Sequence, residues 1–541
     1  MVEVRSRALK RGARAFGVRA VGLALCEISA ADHIPVTPAG YTVNMGRRLS
    51  KSRFQKGLQC EKALWLAVHR RDLITDPPEA TQWIFDQGSE VGRLAWQLFP
   101  GGVEVTEDYQ QPAEALATTQ RLLAEGATVL YEAAFEHGAA FARVDILVAV
   151  GDGTWDLYEV KSSTSAKPEH TTDAAVQAYA VEGSGLALRS INIVHVDSSY
   201  VYEGGPYDVH RLLAVADITS DARAFMAEVP THLERLAAML EGPEPEVVIG
   251  ARCSSPYTCD FTGYCHAFLP ADYPVTALPR ISEEQLHSLL AAGITSMRDV
   301  PTDLPGLSRV QAEALEVVRS GEPRVDAVGL ARSLKALEWP VYHLDFETLA
   351  PALPLWPGTR PYETIPFQYS IHVQSEDGAC EHREYLHPGR DDPRRALTAH
   401  MLVDLGEAGS ITHYTAYERT QLRGLAAALP EFSEQIAEVI ARLVDLEPII
   451  RNNTRHPDAA GRSSIKYVLP AWCPDLSYAA LAIGDGQIAS ARYLRVLKGH
   501  INGEDAGQVM DDLLEYCGLD TFAMVRLLDE MRRLAADGTE R

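Results

Sequence analysis

Ala139-Ala-Phe-Ala-Arg-Val-Asp145-Ile-Leu-Val-Ala-Val150-Gly151-Asp152-Gly153-Thr154-Trp-Asp-Leu-Tyr-Glu159-Val-Lys161 decides how the N-terminal half is read. Two apolar runs, Ala139 to Val150 and Thr154 to Val160, flank a Gly-Asp-Gly turn and predict a β-hairpin. Asp145 lies inside the first run. Glu159 and Lys161 are two residues apart and fall on one face of the second strand. Hairpin pairing can bring Asp145 beside them. Two carboxylates so placed can hold a hard divalent cation through oxygen. Such an ion polarises a phosphodiester and activates water, and a lysine positions that water or offsets developing charge. On these three residues alone, an ordinary hairpin with a solvated Glu–Lys pair is the simpler account. The surrounding chain argues for the chemistry.

Outward from the hairpin, Ser50 to Arg71 and Thr81 to Leu98 have helical apolar spacing, the first with a Ser cap. A third helix is expected near Asp173 to Glu182 and a strand at Ser190 to Val196. The Asp strand, the Glu-x-Lys strand and Gln177 on the following helix resemble the PD-(D/E)xK fold of RecB-family nucleases. In that family a glutamine at the place of Gln177 supports the site. The resemblance implies that Asp145 and Glu159 hold metal, with Lys161 and Gln177 assisting catalysis. Two departures are visible. The tyrosine expected four residues after the glutamine is Val181, with Tyr179 near it. The early Gly-x-x-x-His pattern has Gly92 where the histidine belongs, leaving Glu90 as a nearby candidate for a third ligand.

Cys253-Ser-Ser-Pro-Tyr-Thr-Cys259-Asp-Phe-Thr-Gly-Tyr-Cys265 follows this region, and Cys60 lies far upstream in Gly57-Leu-Gln-Cys60. Four thiolates can bind a 4Fe–4S cluster or a tetrahedral zinc, although structural zinc more often uses tight Cys-x-x-Cys knuckles. One early cysteine and three after the nuclease core resemble the iron–sulfur RecB-like nucleases, including AddB-type domains and CRISPR-associated exonucleases. That resemblance implies a 4Fe–4S cluster on Cys60, Cys253, Cys259 and Cys265, stapling an N-terminal helix to the segment after the core.

The second half opens on Pro340-Val-Tyr-His-Leu-Asp345-Phe-Glu347-Thr348, a buried-strand signal with two carboxylates on one face. Much later comes Tyr516-Cys-Gly-Leu-Asp520. The first motif and this Tyr-x-x-x-Asp are similar to those of DnaQ-like exonucleases of the tyrosine subtype. Between them, Ile411-Thr-His-Tyr-Thr-Ala-Tyr-Glu418 offers Glu418 where the family usually has Asp. Asp445 is a weaker ligand candidate, and Ser463-Ser-Ile-Lys466 resembles a segment of related chains. The resemblance implies that Asp345, Glu347, Glu418 and Asp520 hold two Mg²⁺ or Mn²⁺ ions and that Tyr516 orients the attacking water.

The fold class expected is α/β. A PD-(D/E)xK restriction-endonuclease-like module with a four-cysteine cluster spans 49–270. A helical connector at 271–335 weakly resembles a helix-hairpin-helix, and an RNase H-like, DnaQ-type α/β module spans 336–541. Residues 1–48 read as a disordered extension. They are basic, with a short apolar stretch at Val21 to Cys26 that also admits a signal peptide, and Met45 is an alternative start.

The chain of 541 residues is 46% hydrophobic, enough for sizeable cores. Its formal net charge of −24 rules out generic polyanion binding. Nucleic acid therefore needs a local basic patch or metal ions. No apolar run is long enough to span a membrane, and a cytoplasmic location is expected. The function expected is metal-dependent hydrolysis of nucleic acid, DNA first, in repair or defence. The alternatives are a nucleic-acid- or partner-binding protein with one or both modules inactive, and an iron–sulfur redox protein. The redox reading is disfavoured because no Gly-x-Gly-x-x-Gly follows a strand.

Overall fold

The computed structural model describes residues 48–74, 79–108 and 110–539. The expected N-terminal extension lies, but for Arg48, outside them. The chain is mixed α/β, built on two large sheets.

The first sheet has seven strands: β1 (Leu49–Ser50), β2 (Val103–Glu104), β3 (Val129–His137), β4 (Ala140–Ala149), β5 (Thr154–Lys161), β6 (Ala187–Val196) and β7 (Leu213–Asp217). Their order is β2-β3-β4-β5-β6-β7, with β1 pairing β4 off that path. The expected hairpin is β4–β5, antiparallel, with Ile146 opposite Tyr158. Strand β3, antiparallel to β4, has no counterpart in the sequence reading. The strand expected at 190–196 begins earlier, at Ala187.

The single helix expected over 50–71 is two. Helix α1 (Lys51–Gln59) starts on Ser50, whose Oγ accepts from the Arg53 amide. It stops at Cys60, which is extended at φ −159°. The Cys60 amide still closes α1 on Lys56, while its carbonyl opens α2 (Glu61–His69) by accepting from Leu64. Apolar periodicity runs on through this break, which is why the sequence concealed it. Helix α3 (Glu79–Ala95) and a 3₁₀ turn cover the second expected helix. Helix α4 (Pro168–Gly183) lies on the sheet. Its buried Ala174, Ala175, Val176 and Ala178 let it approach β3, β4 and β6 closely.

The connector contains α5 (Arg309–Ser320), started by a reciprocal Ser308–Gln311 cap, and β8 (Arg324–Val325). The second sheet follows, with β9 (Val341–Leu349), β10 (Ile365–Gln374), β11 (Cys380–Leu386), β12 (Ile411–His413) and β13 (Leu443–Asp445) in the order β11-β10-β9-β12-β13. Strands β11, β10 and β9 are antiparallel, whereas β12 and β13 run parallel to β9. A short β14 (Thr454–Arg455) returns to pair with β8. The helices of this half include α6 (Tyr417–Ala428), α7 (Leu446–Asn453), α8 (Gly486–Leu497) and α9 (Gly503–Thr539).

The loop between β9 and β10 ties the sheets together. Ala352 and Leu353 are buried with Val91, Ala95 and Tyr200 of the first half. Tyr202 exchanges backbone hydrogen bonds with Gly358 and Thr359 at 2.7 and 3.0 Å. Among the described residues, no helix is long and apolar enough to cross a membrane.

Candidate functional site

Strand β4 pairs with β1 at Ala140–Phe141 and with β5 only from Ile146 onward. Between these stretches β4 and β5 part, and Asp145 Oδ2 accepts from the Val160 amide at 2.7 Å in place of a ladder partner. The fork holds a charged cluster. Lys161 Nζ lies 2.7 Å from Glu159 Oε1 and 2.5 Å from Asp173 Oδ2. Lys51, first residue of α1, reaches the same Glu159 oxygen at 2.8 Å. Gln177 Nε2, one turn after Asp173 on α4, donates to Glu159 Oε2 at 2.5 Å. Its own Oε1 is buried and has no hydrogen-bond partner among the described residues.

Electrostatics splits the two predicted carboxylates. Burial, then the neighbouring Glu159 charge, pushes Asp145 well above the usual carboxylate range. Burial works on Glu159 too, but Lys161 and Lys51 outweigh it and hold Glu159 well below that range. The cluster opens into a cavity of 1180 Å³.

The structure adds three residues to this predicted set. Lys51 follows a cap signal that says nothing of catalysis. Asp173 shares a helix face with Gln177, a spacing of four that was readable. Glu132, on β3, lines the cavity with Asp145. It sits at φ +57°, a left-handed conformation costing about 1–3 kcal/mol for a residue with a Cβ. Burial raises its carboxyl. Glu90 is instead engaged with Lys498 at 2.6 Å and is not on the cavity wall.

Cys60, Cys253, Cys259 and Cys265 line one small cavity. The break between α1 and α2 brings Cys60 there. Gln59 Nε2 fastens the break to the later loop, donating to the carbonyls of Arg252 and Tyr257 at 2.7 and 2.6 Å. Burial raises the Cys265 thiol to about 11 and raises Cys259.

The second cluster forms where β9 outruns its neighbour. Strand β12 pairs with β9 only at Tyr342 and His343, so Asp345 and Glu347 lie past the end of that ladder. A cavity of 1010 Å³ opens there, lined by Asp345, Glu347, Glu418, Tyr516 and Asp520. Glu418 comes from the first turn of α6, and Tyr516 and Asp520 from one face of α9, a helical spacing of four. Burial raises Asp345, reinforced by Asp520, Glu418 and Glu347. Burial and Asp520 raise Glu347 against the pull of Lys466. Burial brings Asp520 to about 6, although Tyr478 donates to its Oδ1 at 2.7 Å. Glu418 Oε2 is buried and has no hydrogen-bond partner among the described residues; His413 Nδ1 lies 3.3 Å away but out of line.

Cys517, inside the Tyr-x-x-x-Asp motif, carries no signal of its own in the sequence. Its Sγ lies 3.7 Å from Asp345 Oδ2. Asp345, Glu347 and Cys517 are the one group, among the described residues, whose candidate ligand atoms all lie within 4.8 Å of one another. Burial and the three carboxylates hold the thiol well above its usual range, so it acts as a donor toward Asp345. Lys466 Nζ stands over the Tyr478 and Tyr516 rings and donates to the Gly484 carbonyl at 2.8 Å. Asp445 is spent elsewhere: its Oδ1 caps α7 and accepts from the Thr415 amide, both at 3.0 Å.

Residues 342–464 match the family model for a domain of unknown function (DUF2779). The match takes in Asp345, Glu347 and Glu418 and ends before Tyr516 and Asp520. No curated protein matches the chain.

The two cavities adjoin, with Ile84, Ser162 and Tyr362 lining both. The Tyr362 hydroxyl donates to the Ser162 carbonyl, which fixes the shared wall.

Proposed function

We propose that the chain is a metal-dependent nuclease with two centres. One is a PD-(D/E)xK, RecB-like unit around Asp145 and Glu159. The other is an RNase H-like, DnaQ-type unit around Asp345, Glu347, Glu418 and Asp520. The observation that carries this reading is the convergence of those last four carboxylates on one cavity from β9, α6 and α9. Crowded acids that raise one another's proton affinity form a poor folding device and a good cation site.

The residues fit Mg²⁺ or Mn²⁺: all four donors are carboxylates, and Glu418 has a buried oxygen with no hydrogen-bond partner among the described residues. When bound, the ions would activate water and offset charge on a scissile phosphodiester. The chain's own groups do the positioning. Cys517 orients Asp345, Tyr478 orients Asp520, and Tyr516 stands on the cavity wall. In the first centre Lys51 and Lys161 keep Glu159 ionised, and Gln177 fixes its second oxygen.

The four cysteines fit a 4Fe–4S cluster, which would be structural. Structural zinc more often uses tight Cys-x-x-Cys knuckles, which the six-residue spacings of Cys253, Cys259 and Cys265 are not. Unpaired cysteines throughout the described residues suit a reducing compartment such as the cytoplasm. DNA is the substrate we propose, in repair or defence.

The test is hydrolysis of labelled DNA by purified protein with Mg²⁺ or Mn²⁺. Asp145→Asn and Asp345→Asn should each remove one component of the activity, and the double variant or EDTA should remove all of it. A double variant as active as the parent would end the nuclease reading.

A further inference from the structure

We propose that a third cavity, walled by the connector and by the segment following α7, is a binding site for phosphate groups. The cavity has a volume of 350 Å³ and is lined by Arg309, Arg324, Arg451, Arg455 and Arg462. Five guanidiniums in one cavity stand out in a chain of net charge −24.

Local structure forces them together. Strands β8 and β14 pair Arg324 directly opposite Arg455, a placement of like charges that is unfavourable by itself. Arg451 precedes Arg455 by four residues, and Arg309 begins α5. One carboxylate, Glu313, serves three of them, at 2.8 Å to Arg455, 3.2 Å to Arg309 and 3.8 Å to Arg324, and Arg324 also lies 3.7 Å from Glu316. Arg451 pairs with Glu447 at 2.8 Å. Arg462 stacks over the Tyr467 ring at 3.7 Å and has a backbone carbonyl as its hydrogen-bond acceptor. The other acidic wall residue, Asp326, caps a helix at the Gly329 amide. Five arginines thus share three paired acids, Glu313, Glu316 and Glu447, and the wall keeps positive charge for a phosphate. Guanidiniums held in planar forks match phosphate oxygens two at a time.

The cavity abuts the second acidic cleft. Ser463 lines the arginine cavity and Ser464 lines the cleft. The Tyr414 hydroxyl, from the cleft wall, donates to the Ser463 carbonyl at 2.6 Å. A strand whose scissile bond lies among the carboxylates can thus place another of its phosphates on the arginines. This supplies the local basic patch that an acidic chain needs in order to hold nucleic acid. The choice of a strand as the source of the phosphate rests on the nuclease reading. The phosphate chemistry does not.

The test uses the full chain in EDTA, so that nothing is cut. A dye-labelled single-stranded oligodeoxynucleotide is followed by fluorescence anisotropy across a salt series, and inorganic phosphate is titrated by calorimetry. The wild type is compared with R309Q/R324Q/R451Q, all exposed positions, and with the charge-matched R121Q/R211Q/R533Q, which leaves the cavity intact. Melting curves check that both fold. The cavity variant should bind the strand about tenfold or more weakly, its salt slope flattened by roughly 0.7 for each phosphate it no longer holds. It should also lose the heat of phosphate binding, and the control should keep both. Loss of the phosphate heat alone would support the site and assign it to free phosphate. Wild-type behaviour of the cavity variant in both assays would overturn the proposal, as would a wild type that binds neither probe. Hydrolysis by the carboxylate variants is a separate readout, so the two readings fail separately.

Discussion

Lys51 Nζ lies 2.8 Å from Glu159 Oε1 across 108 residues of chain. One residue that begins a helix thus helps to set the charge of a carboxylate at the end of a strand. We predict that Lys51→Met, in a chain whose second centre is silenced by Asp345→Asn, lowers the remaining hydrolysis by about 10²-fold. The far-ultraviolet spectrum should not change. An unchanged rate would remove Lys51 from the chemistry.

Cys60→Ser should act on the fold before it acts on any reaction. The anaerobically purified parent should hold about four irons and absorb near 400 nm. The variant should lose both signals and melt several degrees lower, while Cys380→Ser, at an exposed position, should match the parent. A colourless parent carrying zinc would contradict this.

Asp445→Ala should separate support from catalysis. Its Oδ1 accepts from the Glu447 and Thr415 amides, so removing it should cost about 1–2 kcal/mol, as for other helix N-caps. Metal-dependent hydrolysis should persist. A stable variant with no activity would return Asp445 to the ligand set.

His372 gives a pH prediction. It stacks on His382 at 4.3 Å, and burial, then His382, draws its pKa down from 6.5 to about 4. Below pH 6.5 the unfolded chain binds a proton that the folded chain refuses. The contribution to stability is therefore full above that pH and is lost as pH falls toward 4. Discounted for solvent around the ring, the loss is roughly 1–2 kcal/mol. Denaturant titrations from pH 7 to 4 should show a flatter decline for His372→Gln. A parallel decline would show that His372 does not titrate this way.

The pairs that share a local period were legible. Glu159 with Lys161 and Asp345 with Glu347 follow the two-residue alternation of a strand. Tyr516 with Asp520 follows one turn of a helix, and the Gly-Asp-Gly turn joins β4 to β5. Each is a relation between near neighbours, and backbone geometry alone fixes which face they share. The mixed α/β class followed from the same periodicities. What lay beyond them was decided by packing. Lys51 reaches Glu159 because β1 pairs with β4 and delivers α1 into the fork. Glu132 faces Asp145 because β3 lies beside β4, and Glu90 is drawn to Lys498 because α3 packs on α8. Cys60 turns toward the later cysteines at a helix break that apolar spacing concealed. The five arginines meet because β14 returns to β8. No local period records a contact between residues a hundred positions apart, since it exists only once the core has closed around it.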